Sequence, residues 1–358
     1  MSANDDKEKY EFLEMALARK DIMILADHGV SEAYNSIRIN ICNVISRNWV
    51  AKLLPRWAVI GITLYTFGLF KTNVVYLTYG NNKSSYILMI LQKIFSKIIK
   101  PRPHIMFDCL WEGENGILRK ILVKIRANLV NSVASKCIVY GKKDVDKFNK
   151  ILGISRDKLL FMRYHHTLKN SKYAEEVEVR EGDYIFSGGT PGREFSPLLN
   201  ICTELKIPLK IATFDPDIIE KGRGNPLFEI RSTSPEGFLH LMANSRMVVV
   251  PYGKSILRTG GHQTMLNAMK MGKPLIVYNE DIAEGYVISG VNGIIIIYGN
   301  TNGLKNELER LFYDKEYRDR LRILTKEWVK KNDLSQDRWA KNVYNLAAEM
   351  AYKKTGNL

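Results

Sequence analysis

The sequence is short of cysteine, of long apolar runs and of a leader-like start, and each shortage removes a class of protein. Its 358 residues include four cysteines, Cys42, Cys109, Cys137 and Cys202. They lie far apart, without Cys-x-x-Cys spacing or neighbouring ligand histidines, so they read as reduced packing residues rather than a disulfide framework or a zinc site. The longest uncharged apolar stretch, Trp57 to Phe70, is shorter than the roughly 20 residues a helix needs to cross a bilayer. Its Val, Ile, Thr, Tyr and Phe content predicts a buried strand, over Trp57–Phe67. The start, Met1-Ser-Ala-Asn-Asp-Asp-Lys-Glu-Lys, has neither the apolar core of a secretory signal nor the acid-poor composition of a transit peptide, and a cytoplasmic site of action is the expectation.

What is present is ordinary in proportion and unusual in sign. With 46% hydrophobic and 25% charged residues, the chain is long enough to bury two cores, so two domains are expected. A net charge of +15 favours an anionic partner: a nucleotide, a lipid phosphate, a bilayer surface or nucleic acid.

Apolar runs recur at 21–26, 57–67, 74–79, 104–107, 137–140 and 159–162, separated mostly by segments of helical period. That alternation predicts βα units around a parallel sheet. A polar, acidic stretch near 167–182 reads as a linker. A second series follows, with strands over 184–187, 209–213, 247–251, 274–278 and 293–298. The expected organisation is α/β: a charged tail over 1–20, a first Rossmann-like domain over 21–168, a second over 169–335, and a C-terminal helix over 336–358 packing back on the first.

The most informative segment runs Met247-Val-Val-Val-Pro-Tyr252, a loop, Gly260-Gly261-His262-Gln263-Thr264, then Met265 to Gly272-Lys273-Pro274. It reads as strand, glycine loop, short helix and strand, with Gly272 ending the helix and Pro274 preventing its continuation. A helix N-terminus offers unpaired N–H groups and partial positive charge, glycines let a ligand approach the backbone, and Thr264 adds a hydroxyl. Alone, the glycine pair fits a flexible turn equally well and Thr264 a helix cap. A second such segment changes the balance. Tyr184-Ile-Phe-Ser-Gly188-Gly189-Thr-Pro-Gly192-Arg193 is again strand and glycine turn, now with an arginine able to grip a phosphate through two N–H groups. Both loops follow strands of one predicted sheet, where open α/β folds bind ligands.

From about Tyr184 to Gly293 the sequence resembles the retaining glycosyltransferases of GT-B fold, group-one type, and the similarity continues more weakly through the C-terminal helices. In that family a glycine turn with a basic residue opens the donor domain, the place held here by Arg193. The run Leu266-Asn267-Ala268-Met269-Lys270-Met271-Gly272-Lys273-Pro274-Leu275-Ile276 resembles a second family motif, and Ser289-Gly-Val-Asn-Gly293 the turn that follows it. The family's two glutamates, eight positions apart, fall on Thr259 and Asn267. A second basic residue, often paired with the first, falls on Gly188. The resemblance implies two Rossmann-like domains facing across a cleft. It also implies donor contacts from Gly188, Gly189, Arg193, Thr259, Gly261, His262, Gln263, Thr264 and Asn267.

On the acceptor side, Asp108, after the run His104–Phe107, resembles the polar residue the fold sets near the reacting centre; together with Arg193 it forms the catalytic pair the resemblance implies. His28, Trp111, Glu112 and His165 are the acceptor-binding candidates. His165 and His166 are neighbours on an extended segment and point to opposite faces, so they are not expected to chelate one ion. The Asp144-Val-Asp146 and Asp215-Pro-Asp217 strings suit helix starts. Neither a cofactor nor a metal is expected.

The reaction implied is transfer of a sugar from a nucleoside diphosphate to a hydroxyl of a glycan, polysaccharide or lipid-linked acceptor, with retention and without metal. Two basic helical segments, Ser84–Lys100 and Ile117–Lys136, add an anionic membrane surface as a partner and a peripheral site of action. A sugar-nucleotide epimerase of similar fold is the rival enzyme, but no convincing acid/base carboxylates stand out. A non-enzymatic nucleic-acid or anionic-surface binder is the rival of another class. For nucleic acid there is neither a recognition motif nor an aromatic platform interleaved with the basic runs.

Overall fold

The computed structural model describes residues 22–26, 38–40, 55–70, 73–107, 109, 117–168, 178–189, 192–254 and 260–355. The chain forms two compact units. One takes the described parts of Met1–Val139 with Asp144–Met162 and Asp337–Leu358; the other takes Tyr140–Lys143 and Arg163–Gln336.

In the first unit the strands are β1 (Met23–Ala26), β2 (Arg38–Asn40), β3 (Val74–Tyr79), β4 (His104–Phe107), β5 (Lys136–Val139) and β6 (Leu159–Phe161). Among the described residues they form one sheet in the order β2-β1-β3-β4-β5-β6, parallel at every pairing. Parallel sheets are covered on both faces, and β3 and β4 are accordingly almost wholly buried. The helices α1 (Arg56–Leu69), α2 (Lys83–Ile94) and α3 (Ile117–Val133) follow β2, β3 and β4. α1 packs on α2, and α2 on α3. Leu25, Val59, Leu64, Val74, Tyr76 and Leu88 make a shared core. The buried His104 ring is paired on both sides: Nε2 lies 2.8 Å from the Thr78 hydroxyl and Nδ1 3.4 Å from the Gln92 amide. Burial pushes the His104 pKa down to about 3.

The strand expected over 57–67 is instead the helix α1. Its buried positions, Ala58, Val59, Gly61, Leu64 and Gly68, recur at three- and four-residue steps rather than alternating. A methyl group on Gly61 would stand 2.8 Å from Ile87 of α2, and one on Gly68 would overlap the Tyr76 hydroxyl. Close glycine packing against α2 and β3 thus outweighs the strand preference of the β-branched residues.

The second unit has β7 (Ile185–Gly188), β8 (Leu209–Ala212), β9 (Phe228–Arg231), β10 (Met247–Pro251), β11 (Leu275–Tyr278) and β12 (Ile294–Ile296), in the order β12-β11-β10-β7-β8-β9 and again all parallel. Its helices are α4 (Ser196–Leu205), α5 (Pro216–Gly222), α6 (Pro235–Ala243), α7 (His262–Lys270), α8 (Thr301–Tyr313) and α9 (Lys315–Lys331); a last helix, α10 (Gln336–Thr355), lies in the first unit from Asp337 onward. There Trp339 meets Phe107 edge to face at 5.8 Å. β2 and β9 escaped the sequence reading because they are short edge strands; β9 is only partly buried. The segment Arg163–Thr167, expected at the end of the first domain, belongs to the second unit. Its hydrogen bonds explain this: Arg163 Nε donates to the Gly285 carbonyl, the Tyr164 amide to the Tyr286 hydroxyl, and the His166 amide to the Leu334 carbonyl.

The aspartate strings are structural where they are described. The Asp215 carboxylate caps α5, accepting from the Asp217 and Ile218 amides at 3.0 and 3.4 Å. Asp146 pairs with Arg156.

Candidate functional site

The second sheet changes direction beside its first strand: β8 and β9 add on one side of β7, and β10 to β12 on the other. Open α/β sheets bind ligands at such a point, beyond the carboxyl ends of the strands. The two glycine segments found in the sequence meet there. β7 ends at Gly188, and Gly189, at φ +103°, turns the chain away from the strand. Arg193 forms a bridge with Tyr252, just past the end of β10. Gly261, at φ +80°, stands at the N-terminus of α7.

Arg193 is held from several sides. Nε donates to the Gly188 carbonyl at 2.8 Å, Nη2 lies 3.4 Å from the Thr264 hydroxyl, and the guanidinium carbon stands 5.4 Å from the Tyr252 ring centroid. A Cβ on Gly189 would come within 2.9 Å of Nη2, and one on Gly261 within 2.8 Å of Nη1. The arginine therefore lies between two backbone segments that can approach it only as glycine. Tyr252 fits the same way against Gly192 and Gly260, where a Cβ would meet its ring at 2.5 Å and its hydroxyl at 2.8 Å. The residue is half-buried overall, yet Nη1 is sealed from solvent without a hydrogen-bond partner. Burial pulls the guanidinium pKa down to about 10, which leaves it charged at neutral pH.

α7 has no side-chain cap. Its first-turn amides have no acceptor within the helix and add partial positive charge beside Arg193. A cavity of about 940 Å³ opens at this point, bordered by Gly189, Arg193, Gly261, Gln263, Thr264 and Asn267. Its far wall comes from the loops after β8 and β9: Ala212 to Phe214, then Thr233 to Pro235, with Phe238 and Leu239 of α6. One end is thus cationic and glycine-rich and the other apolar and aromatic, the combination a phosphorylated ligand with a flat ring requires.

The expected donor residues divide. Gly189, Arg193, Gly261, Gln263, Thr264 and Asn267 gather at the cavity, and Gly188 contributes through the carbonyl that orients Arg193. His262 does not border it; its ring is buried and stacks on Tyr286 at 4.5 Å. Asn267 is buried and engaged with Thr167: Oδ1 accepts from the Thr167 amide at 2.9 Å and Nδ2 donates to its hydroxyl at 3.0 Å. Gln263 donates to the same hydroxyl at 3.0 Å. His165, expected on the acceptor side, borders this cavity too. Its Nδ1 lies 2.9 Å from the His166 carbonyl, and burial lowers its pKa, offset in part by that contact. Thr259, Asp108, His28, Trp111 and Glu112 lie outside the described residues. Lys273, of the Gly-Lys-Pro run, is structural: its ammonium donates to the Arg180 and Ser245 carbonyls, and burial draws its pKa down to about 8.

Sequence reasoning missed the aromatic wall. Phe214, two residues past β8, is 72% exposed, and Phe238 lies on α6, whose cap Ser234 accepts from the Gly237 amide at 3.1 Å.

The fold is GT-B: two parallel-sheet Rossmann-like units. Residues 229–328 match the family model of glycosyl transferases group 1. Among solved structures it is similar to Anabaena Alr3699/HepE in complex with UDP, at 13% identity over 92% of this chain and 99% of that one, with a TM-score of 0.65. Sucrose-phosphate synthase from Thermosynechococcus elongatus is similar at 13% identity over 85% and 79%, TM-score 0.62. A glycosyltransferase from Rickettsia africae ESF-5 is similar at 12% identity over 94% of each chain, TM-score 0.60. No curated protein matches the sequence.

Proposed function

We propose that the second unit binds the nucleoside diphosphate of a sugar donor and that the chain transfers the sugar to a hydroxyl of a glycan, polysaccharide or lipid-linked acceptor. The observation that carries this reading is Arg193: a half-buried, charged guanidinium lining a large cavity, held between two glycines at a helix N-terminus. A diphosphate in that cavity would meet the guanidinium, and the partial positive charge at the N-terminus of α7 would offset the remaining charge.

In the reaction the bond between the sugar's anomeric carbon and the diphosphate oxygen breaks, and a bond from that carbon to the acceptor oxygen forms. Negative charge grows on the diphosphate as it leaves, so Arg193, the α7 amides and Thr264 act most strongly in the transition state. The hydroxyl proton must also leave, and Asp108 is the candidate for its handling. Cationic groups of the protein meet the diphosphate charge, which is why no metal is assigned a part. The base lies against Phe214 and Phe238, and UDP heads the candidates because similar structures are complexes with it.

The test is thermal denaturation with UDP-, GDP- and dTDP-sugars, with and without EDTA. One nucleotide is expected to stabilise the protein by about 2.7 kcal/mol at a hundredfold excess over its Kd. EDTA should not alter the response, and Arg193→Ala should abolish it. Absence of any response in the wild type, or an equal response in Arg193→Ala, would remove the reading.

A further inference from the structure

The charge of the chain is concentrated in one stretch. Residues 33–143 contain 17 Lys and Arg against 3 Asp and Glu, a net of +14 out of +15 for the whole chain. None of those three acids, Asp108, Glu112 and Glu114, lies in α1, α2 or α3. These helices pack side by side over one sheet, each following a strand and leading to the next strand added in the same direction.

Their outward sides are apolar throughout and, on α2 and α3, basic as well. Twelve of the twenty large hydrophobic side chains exposed among the described residues fall between Trp57 and Ile125. Ile98 is 83% exposed, Phe70 79% and Ile94 63%, with Ile121, Leu122 and Ile125 near 50% on α3. Exposed lysines stand among them: Lys83 and Lys93 on α2, Lys97 in the turn that follows it, and Lys120 and Lys124 on α3. Lys83 Nζ lies 5.6 Å from the Trp57 ring centroid, so cation and aromatic share one spot.

A helix face that meets only water normally mixes lysine with glutamate and hides its isoleucines. This one does neither over three consecutive helices. Nucleic acid would reward the lysines but not Ile94 and Ile98. An anionic bilayer rewards both, because aliphatic side chains enter the boundary between headgroups and acyl chains while lysines reach the phosphates. No helix among the described residues is long and apolar enough to cross a membrane, so the attachment these helices offer is interfacial. We propose that the face formed by α1 to α3 docks the protein onto an anionic lipid surface. The proposal does not rest on the donor reading, since it uses no residue of the Arg193 cavity.

The experiment is co-sedimentation of the full chain with vesicles of phosphatidylcholine alone and of phosphatidylcholine with 30% phosphatidylglycerol, at low and high salt. The protein should pellet with the anionic vesicles and stay in the supernatant with the neutral ones, and salt should weaken the binding. Lys93→Gln with Lys97→Gln should weaken it about 25-fold, from roughly fivefold per lysine near an anionic surface. Ile94→Ser with Ile98→Ser should weaken it at least tenfold at unchanged charge. All four positions are exposed, so melting temperature and nucleotide response should stay at wild-type values, which separates failure here from failure of the donor site. Equal pelleting with both vesicle types, or none with the anionic ones, overturns the proposal. Wild-type vesicle binding by Ile94→Ser with Ile98→Ser overturns it as well. So does a dimer in sedimentation velocity that this double variant dissolves, which would assign the face to a second copy.

Discussion

The first sheet runs β2-β1-β3-β4-β5-β6, whereas the second, counted from its own first strand, runs third-second-first-fourth-fifth-sixth. Each reverses beside its first strand, so each offers one crevice at its carboxyl edge. In chemistry they diverge. Around the second crevice stand two glycine turns, an enclosed arginine and an aromatic wall, and the segment 163–336 is nearly neutral, with 24 Lys and Arg against 22 Asp and Glu. The first unit holds most of the net charge, and the exposed lysines of α2 and α3 stand on helix faces. The proposed diphosphate site depends on one arginine set between two glycines, whereas the exposed lysines gather on the face proposed to meet lipid.

Removing that arginine is the sharpest way to separate the units. Arg193→Ala should lower transferase activity by at least 100-fold, about 2.7 kcal/mol of transition-state stabilisation, with the first unit's vesicle binding unchanged. Steady-state kinetics with the nucleotide-sugar that stabilises the protein checks this; an activity within tenfold of wild type would mean that the second crevice is not the donor site.

The next test keeps the arginine and disturbs its bed. Gly261→Val puts a branched side chain at φ +80° with its Cβ 2.8 Å from Nη1. It should cost about 2–3 kcal/mol of stability in denaturant unfolding and weaken nucleotide binding along with it.

The first unit has its own signature in pH. The folded His104 pKa is depressed to about 3 against 6.5 unfolded, so between those values the unfolded chain binds a proton that the folded chain does not. Stability from this residue is full above pH 6.5 and falls as pH drops toward 3. At pH 5 it amounts to about 2 kcal/mol of loss relative to pH 7. Unfolding measured at both values, in wild type and in His104→Asn, should show that slope only in the wild type.

The smallest expected effect concerns Asn267, where the resembling family places a glutamate. Asn267→Ala removes both bonds to Thr167 and should destabilise the protein by about 1 kcal/mol. The same variant should leave Arg193 in place, so that nucleotide still raises the melting temperature.

Much of this was legible because buried parallel strands are short apolar runs with turn residues between them; Val74–Tyr79 and Met247–Pro251 stand where the pattern places them. α1 was misread because composition is a poor guide in an uncharged stretch: glycines at 61 and 68 fit a neighbour that only the fold supplies. In the site, the glycines and Arg193 that meet at the cavity were readable because each glycine turn follows its strand within one short segment. The partnership of Asn267 and Gln263 with Thr167 was not, because it joins residues about a hundred positions apart. Phe214 and Phe238 were invisible for a similar reason: an aromatic becomes a base platform only when two loops bring it to the same cavity.

The glycine bed of Arg193 has a kinetic consequence. A guanidinium already fixed by Gly188, Thr264 and Tyr252 would lose little freedom on meeting a diphosphate, and it would hold the more highly charged spent nucleotide more strongly than the intact donor. Spent nucleotide should leave slowly, so its departure, rather than bond making, would pace each turnover.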